Sequence, residues 1–153
     1  MDGYVLEATI SGMVPIGVVP EGLRMDVGVE GTITEGPMAG GQVTGTDYLL
    51  VRPDGIGVLD VREVVRLPAG ATVSLAVTGY LHPPFPLPPL DQITPDTEWP
   101  DVDVPVHGAA TMRTADPSLA ALNRTVYGMT GAVNMARGQI RARAESLARV
   151  AVA

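Results

Sequence analysis

The stretch Leu59-Asp-Val-Arg-Glu-Val-Val-Arg-Leu67, "LDVREVVRL", decides how this chain is read. Strict alternation puts Leu59, Val61, Glu63, Val65 and Leu67 on one face and Asp60, Arg62, Val64 and Arg66 on the other. Side chains of a β-strand alternate between faces, so the pattern is a half-buried strand rather than a helix. One carboxylate, Glu63, stands in the apolar row, and its position there is the clearest pointer to chemistry in the sequence.

The same period recurs on both sides of this strand. "YVLEATI" sets Tyr4, Leu6, Ala8 and Ile10 against Glu7 and Thr9, and "LRMDVGVEGTITEG" sets Leu23, Met25, Val27, Val29 and Ile33 against Arg24, Asp26, Glu30 and Thr32. "TDYLLV", "TVSLAVTGY", "VHGAATMRT", "TVYGMTG" and "GQIRARAE" bring the total to about eight strands. Breakers are expected at "GMVP", "EGPMAGG", "RPDG", "LPAG" and "TGAVN". In "RPDG", Pro53 presets the first corner and Gly55 absorbs the exit, so the flanking strands form a hairpin, and "LPAG" repeats the device. Successive tight hairpins make neighbouring antiparallel strands. About eight of them close most simply into a single all-β antiparallel barrel over residues 1–153, because closure removes exposed edges.

Two segments depart from this pattern. Residues 82–105, "HPPFPLPPLDQITPDTEWPDVDVP", hold eight of the 14 prolines, and no helix or central strand accepts that density. A loop this long in a compact domain reads as a lid or binding loop, and it carries Phe85 and Trp99, the sole Phe and the sole Trp. "DPSLAALNR" reads as one short helix with Asp116 as N-cap and Pro117 at its first position. The tail from Gly138 reads as a strand that frays or turns helical after Glu145.

Composition narrows the function. Of 153 residues 46% are hydrophobic, which is ordinary for a globular protein, but large aromatic fillers are few, which suits an incompletely filled interior. The net charge of −7, with all ten basic residues Arg, argues against nucleic acid, where phosphate contacts need Lys and Arg. The absence of Cys excludes disulfides, thiolate metal sites and cysteine nucleophiles. No apolar run reaches the ~20 residues of a membrane helix, and the acidic, alternating start is unlike a secretory signal. A cytoplasmic protein without a membrane partner is expected. His82 and His107 have no partner at ligand spacing, and no phosphate loop, nucleophile elbow or dinucleotide fingerprint is present, so the chain is read as needing neither metal nor cofactor.

The ordered motifs in "GTITEGPMAGGQVTGTDYLLVRPDGIGVLDVREVVRL" and "TMRTADPSLAALNRTVYGMTG" resemble the domain of unknown function family 3237, over roughly residues 15–82 and 108–145. That resemblance implies a small antiparallel β-barrel and no settled activity. Carried over by position, the family's recurring polar residues are Asp47, Arg52, Asp54, Asp60, Arg62, Arg113 and Asn123. The chain departs from the pattern where Glu63 replaces an aromatic after "DVR" and where Ala121 stands before "LNR".

Three readings of the central strand stay open. Glu63 faces an apolar interior, which would raise its pKa and equip it to move a proton. Alternatively the strand is turned over, so that Asp60 and Arg62 clamp a ligand in the cavity. In the third, Asp60 and Arg62 form an ordinary surface pair. The leading expectation is a cofactor-free cyclase or isomerase of natural-product biosynthesis, cycloaddition included, acting on an apolar polyketide-like metabolite inside the barrel. Glu63, Asp60 and Arg62 are its candidate catalytic residues. Tyr48, Tyr80, Phe85, Trp99, Met112, Arg113 and Tyr127 are the candidate ligand contacts. A lipocalin-like carrier is the alternative, and a homodimer through the Arg-rich last strand is a further expectation.

Overall fold

The computed structural model describes residues 1–147. Eight strands follow in order: β1 (Tyr4–Val19), β2 (Gly22–Glu35), β3 (Gln42–Val51), β4 (Gly57–Arg66), β5 (Thr72–Leu81), β6 (Asp103–Thr114), β7 (Tyr127–Asn134) and β8 (Gln139–Ser146). Each pairs antiparallel with its chain neighbour, and β8 returns to β1 with Tyr4–Thr9 against Ala144–Gln139, closing an up-and-down barrel. The expected single barrel is the fold. Closure also means that β8 is no edge. Arg141 pairs with Glu7 and Arg143 with Glu35 and Glu145, so these arginines of the last strand are engaged within the barrel wall. Arg149 and most of the tail after Glu145 lie outside the described residues.

The hairpins form where turn chemistry placed them. Gly55 N–H donates to Arg52 O at 2.9 Å with Gly55 at φ +86°, and Gly70 N–H donates to Leu67 O at 2.9 Å. Two expected breakers are spanned by strand. β1 runs through "GMVP", because beyond Ile10 it bonds only β2, and an outer edge tolerates Pro15. β7 runs through "TGAVN", and the turn falls instead at Met135–Gly138, where Gly138 takes φ +63°. "DPSLAALNR" forms its helical segment as 3₁₀ turns over Pro117–Arg124, kinked at Leu119, with the Asp116 carboxylate accepting the Ser118 N–H at 2.9 Å.

Because neighbouring strands run in opposite directions, the connections divide between two ends. One end carries the β2–β3 turn, the β4–β5 turn and the segment before β7. It is packed shut: Ile33, Met38, Val43, Val65, Val73, Ala110 and Ala144 are almost wholly removed from solvent. Met38 plugs this end from the β2–β3 turn, which positive-φ Gly36 and Gly40 fold inward, and Leu122 enters from the 3₁₀ segment. The other end carries the β3–β4 turn and residues 82–102, and there the interior stays hollow.

Candidate functional site

The hollow half is a cavity of about 130 Å³ walled by the inward faces of the strands. The proline-rich segment lies over its mouth. Pro83, Leu87, Ile93 and Trp99 all line the cavity, and Ile93 is buried. Both roots of the segment are tied down. His82 N–H donates to Pro105 O at 2.9 Å, and Asp101 takes a two-pronged ion pair from Arg137 at 2.8–2.9 Å while accepting from Asn134 Nδ2. Phe85 packs against Trp99 from outside the lining, ring centroids 6.2 Å apart. The proline-rich segment thus lies over the mouth with Trp99 facing in.

Polar chemistry in the cavity wall is confined to a small group. Glu63 points inward and is 5% exposed, with Val61 and Val65 beside it on the same strand face. Across the β3–β4 ladder it is paired with Gly45, where a Cβ would run into the Arg62 carbonyl oxygen and lie 2.7 Å from both Glu63 Cα and Cγ, so glycine lets the two strands and the Glu63 side chain come this close. Two residues along β3, Asp47 also faces in, 9% exposed and paired with Val61. The regular ladder lapses just beyond it, and the Asp47 carboxylate accepts the Asp60 N–H at 3.0 Å. Diagonal neighbours of this kind stand roughly 7–8 Å apart on one sheet face. Tyr4, 1% exposed, comes from β1 to the same floor, and it senses the Glu63 charge.

Burial sets the protonation of these groups. Desolvation, and then the neighbouring Asp47 charge, push Glu63 up from 4.5 to about 7. Asp47 is pushed up to about 6 by desolvation, with the Asp60 N–H holding it lower and Asp60's own charge adding a smaller upward push. The Tyr4 phenol is raised by burial and by Glu63, so it stays a neutral donor. Near neutral pH the pair therefore holds about one proton, with Asp47 the easier to ionise. Among the described residues no protein group hydrogen-bonds the Glu63 carboxyl or the Tyr4 hydroxyl, so both remain available to whatever enters. Among the described residues no Arg, Lys or His lines the cavity.

The other sequence candidates fall elsewhere. Asp60 and Arg62 point outward, 3.1 Å from each other, with 46% and 68% of their side chains exposed; the orientation that would bring them into the cavity is not adopted. Tyr48 and Tyr80 also sit on the outer wall, 42% and 43% exposed. Arg113 is external, donating to Met112 O and Asn123 O. Met112 and Tyr127 are buried in the filled half and do not line the cavity. His82 stacks on His107 at 4.9 Å, outside the lining. Tyr4 is the site residue missing from the sequence candidates, and Asp47 stood among them only as one of the family's recurring polar residues, without a role in the cavity. The signal for Asp47 is plain alternation, since Val43, Gly45, Asp47, Leu49 and Val51 share a face in "VTGTDYLLV".

The class defined by fold and site is a small closed antiparallel barrel with a lidded apolar chamber and a buried acid pair. The chain belongs to the family described as protein of unknown function, DUF3237, whose model matches residues 4–144 and so runs across the lid segment as well as the barrel. Solved structures show the same fold in distant sequences. A conserved protein of unknown function from Rhodopseudomonas palustris superposes with a TM-score of 0.73 at 16% identity, covering 95% of this chain and 94% of that one. A protein of unknown function from Clostridium acetobutylicum gives 0.76 at 18% identity, covering 95% and 96%. A β-barrel-like protein from Acinetobacter baumannii AYE gives 0.70 at 20%, covering 95% and 93%. No functionally curated protein matches the chain.

Proposed function

We propose that this barrel is a cofactor-free proton-transfer enzyme, an isomerase or cyclase acting on an apolar small molecule held in the lidded chamber. The observation that carries the reading is the pair of inward carboxyls, Asp47 and Glu63, poised at about 6 and about 7 in an apolar wall with Tyr4 beside them. A general base is most effective when its pKa lies near the working pH. A carboxylic acid kept protonated at neutral pH can donate to a developing oxyanion, and a buried phenol can do the same. In this reading Asp47 takes the proton, and Glu63 and Tyr4 hold the oxygen that gains charge. Water exclusion comes from Trp99, Leu87 and Ile93 at the mouth.

The test is solvent isotope exchange. The full chain is incubated in D₂O near pH 6.5 with a panel of apolar ketones and enones, and loss of the C–H signals next to the carbonyl is followed by NMR. Exchange above the buffer rate that falls 10²-fold or more in Asp47→Asn is the expected result, in line with the usual contribution of a general base. Exchange that is unchanged in Asp47→Asn, or absent throughout the panel, overturns the proton-transfer reading and leaves a carrier.

A further inference from the structure

The chamber also constrains what enters it, and three independent properties converge. The first is size. A cavity of about 130 Å³ is close to the engineered apolar cavity of about 150 Å³ that accepts one benzene. The space beneath the lid therefore has room for one ring and a substituent, on the order of six to ten non-hydrogen atoms. A polyketide-sized chain would have to extend out through the mouth. The second is charge. Among the described residues the lining has two carboxyls and no Arg, Lys or His, and the guanidinium acting on Asp47, that of Arg24, lies on the outer wall, where it pairs with Asp26. An anionic ligand would meet like charge without a counter-ion in a medium that screens poorly. The third is hydrogen-bond sense. Glu63 in its acid form and Tyr4 both offer O–H groups that no protein group accepts among the described residues, whereas the Asp47 carboxylate already accepts one N–H. The unspent capacity at the floor is thus for a ligand acceptor, with one carboxylate to the side.

We propose that the chamber selects a neutral, single-ring-sized carbonyl compound, its oxygen facing Tyr4 and Glu63 and a neighbouring C–H facing Asp47. This deepens the proton-transfer reading and rests on it for the reaction, although not for the binding. In the step itself the C–H bond next to the carbonyl breaks, its proton goes to the Asp47 carboxylate, and the electron pair moves through the new C=C bond onto the carbonyl oxygen, giving an enolate. The enolate oxygen is held by hydrogen bonds from the Glu63 and Tyr4 O–H groups. Return of that proton from Asp47 to a conjugated carbon completes isomerisation, and return to the same carbon after the Asp47 acid has traded its proton with solvent completes exchange, with no oxidant or reductant involved. Rings with the same carbon skeleton and different head groups then become a direct reading of the site.

The experiment uses four probes on the full chain: cyclohexanone, cyclohexylamine, cyclohexanecarboxylate and cyclododecanone. Binding at pH 7 is followed through methyl NMR signals of Val27, Val77 and Met129, which line the cavity, against Val73 and Met112, which do not. The expected result is saturable shifts of the lining methyls with cyclohexanone, binding at least tenfold weaker for the carboxylate and for cyclododecanone, and loss of most cyclohexanone affinity in Glu63→Ala but not in Arg62→Ala. Tighter binding of the amine than of the ketone overturns the class in favour of an apolar cation paired with Asp47. Cyclododecanone binding as well as cyclohexanone overturns the size limit. Cyclohexanone shifting none of the lining methyls overturns the proposal as a whole. Isotope exchange separates this proposal from the one beneath it. Cyclohexanone that binds as described yet exchanges no protons sinks the reaction and leaves the ligand class standing. Exchange of larger ketones without cyclohexanone binding does the reverse.

Discussion

The same strands build two unlike halves. At the filled end, short turns with positive-φ glycines fold Met38 inward, Leu122 drops in from the 3₁₀ segment, and Val43, Val65, Val73 and Met112 meet with almost no exposure. At the hollow end the cover is a long proline-rich segment, and it supplies Ile93, Leu87 and Trp99 as a roof instead of a plug. Tyr4, Asp47 and Glu63 lie within the cavity lining, against the filled half. One half thus holds the barrel together, which lets the other remain unfilled and carry two carboxyls that would be costly in a packed core. The division places stability and chemistry in different stretches of the same strands.

The largest expected effect tests that division by deletion. Met112→Ala empties a fully packed site and should cost about 3–5 kcal/mol in urea unfolding, whereas Met129→Ala, already open to the cavity on one side, should cost no more than about 2 kcal/mol. Equal losses would mean that the two halves are packed alike.

Next comes pH. Glu63 binds its proton more tightly folded, at about 7, than unfolded, near 4.5. The folded state therefore carries more protons between those values, and stability falls as pH rises through that window. Glu63→Gln removes the cost of ionising the buried acid, so at pH 8 it should be more stable than the natural chain by about 2–3 kcal/mol. At pH 4 the two should be nearly equal. A variant equally stable or less stable at pH 8 would put water around Glu63. The same pair should give the exchange reaction a narrow optimum, rising as Asp47 ionises near 6 and falling as Glu63 loses its proton near 7, with both limbs belonging to the coupled pair.

A smaller effect is expected at Gly45. Gly45→Ala sets a methyl against the Arg62 carbonyl and Glu63 Cα and Cγ, so the β3–β4 pair must part there at a cost of about 1–3 kcal/mol, with Glu63 displaced and its titration moved toward an ordinary carboxylate. Unfolding midpoints and carboxyl-labelled NMR read both. The smallest effect belongs to the outer wall: Arg62→Ala removes an exposed pair with Asp60 and should change stability by about 0–0.5 kcal/mol.

Much of this was legible in the chain, and the gaps have physical reasons. Alternation groups Glu63 with the apolar row and Asp60 with Arg62 on the opposite face, but the sequence leaves open which row faces the interior, and the closed barrel settles it; proline density marks the cover. Alternation also sends Tyr80 out with Thr72, Ser74 and Thr78, so its choice as a ligand contact weighed the phenol above the pattern. Met112 does face inward, but facing inward does not say which end of the barrel a residue occupies. That depends on the stagger of eight strands and on what the turns insert, and Met38 and Leu122 come from segments without strand period. Tyr4 reaches the Glu63 neighbourhood from β1, across the barrel and not along any local motif. Such meetings are set by closure, which no single strand encodes.

The seam between β1 and β8 has a consequence in time. It joins Thr9 to Gln139, 130 positions along the chain, while every other strand pair is a chain neighbour. Seven hairpins can form locally, but the final pairing must wait for the intervening chain to be ordered, and distant pairings of this kind put folding in the millisecond-to-second range. Until then the growing sheet has two open edges, and the inner face of β1, with Tyr4, Leu6 and Ala8, is unsheltered. During synthesis β1 emerges well before its partner exists. The charged outer residues Glu7 and Arg141, which meet across the seam, guard that interval, since a charge on an edge discourages pairing with a stranger.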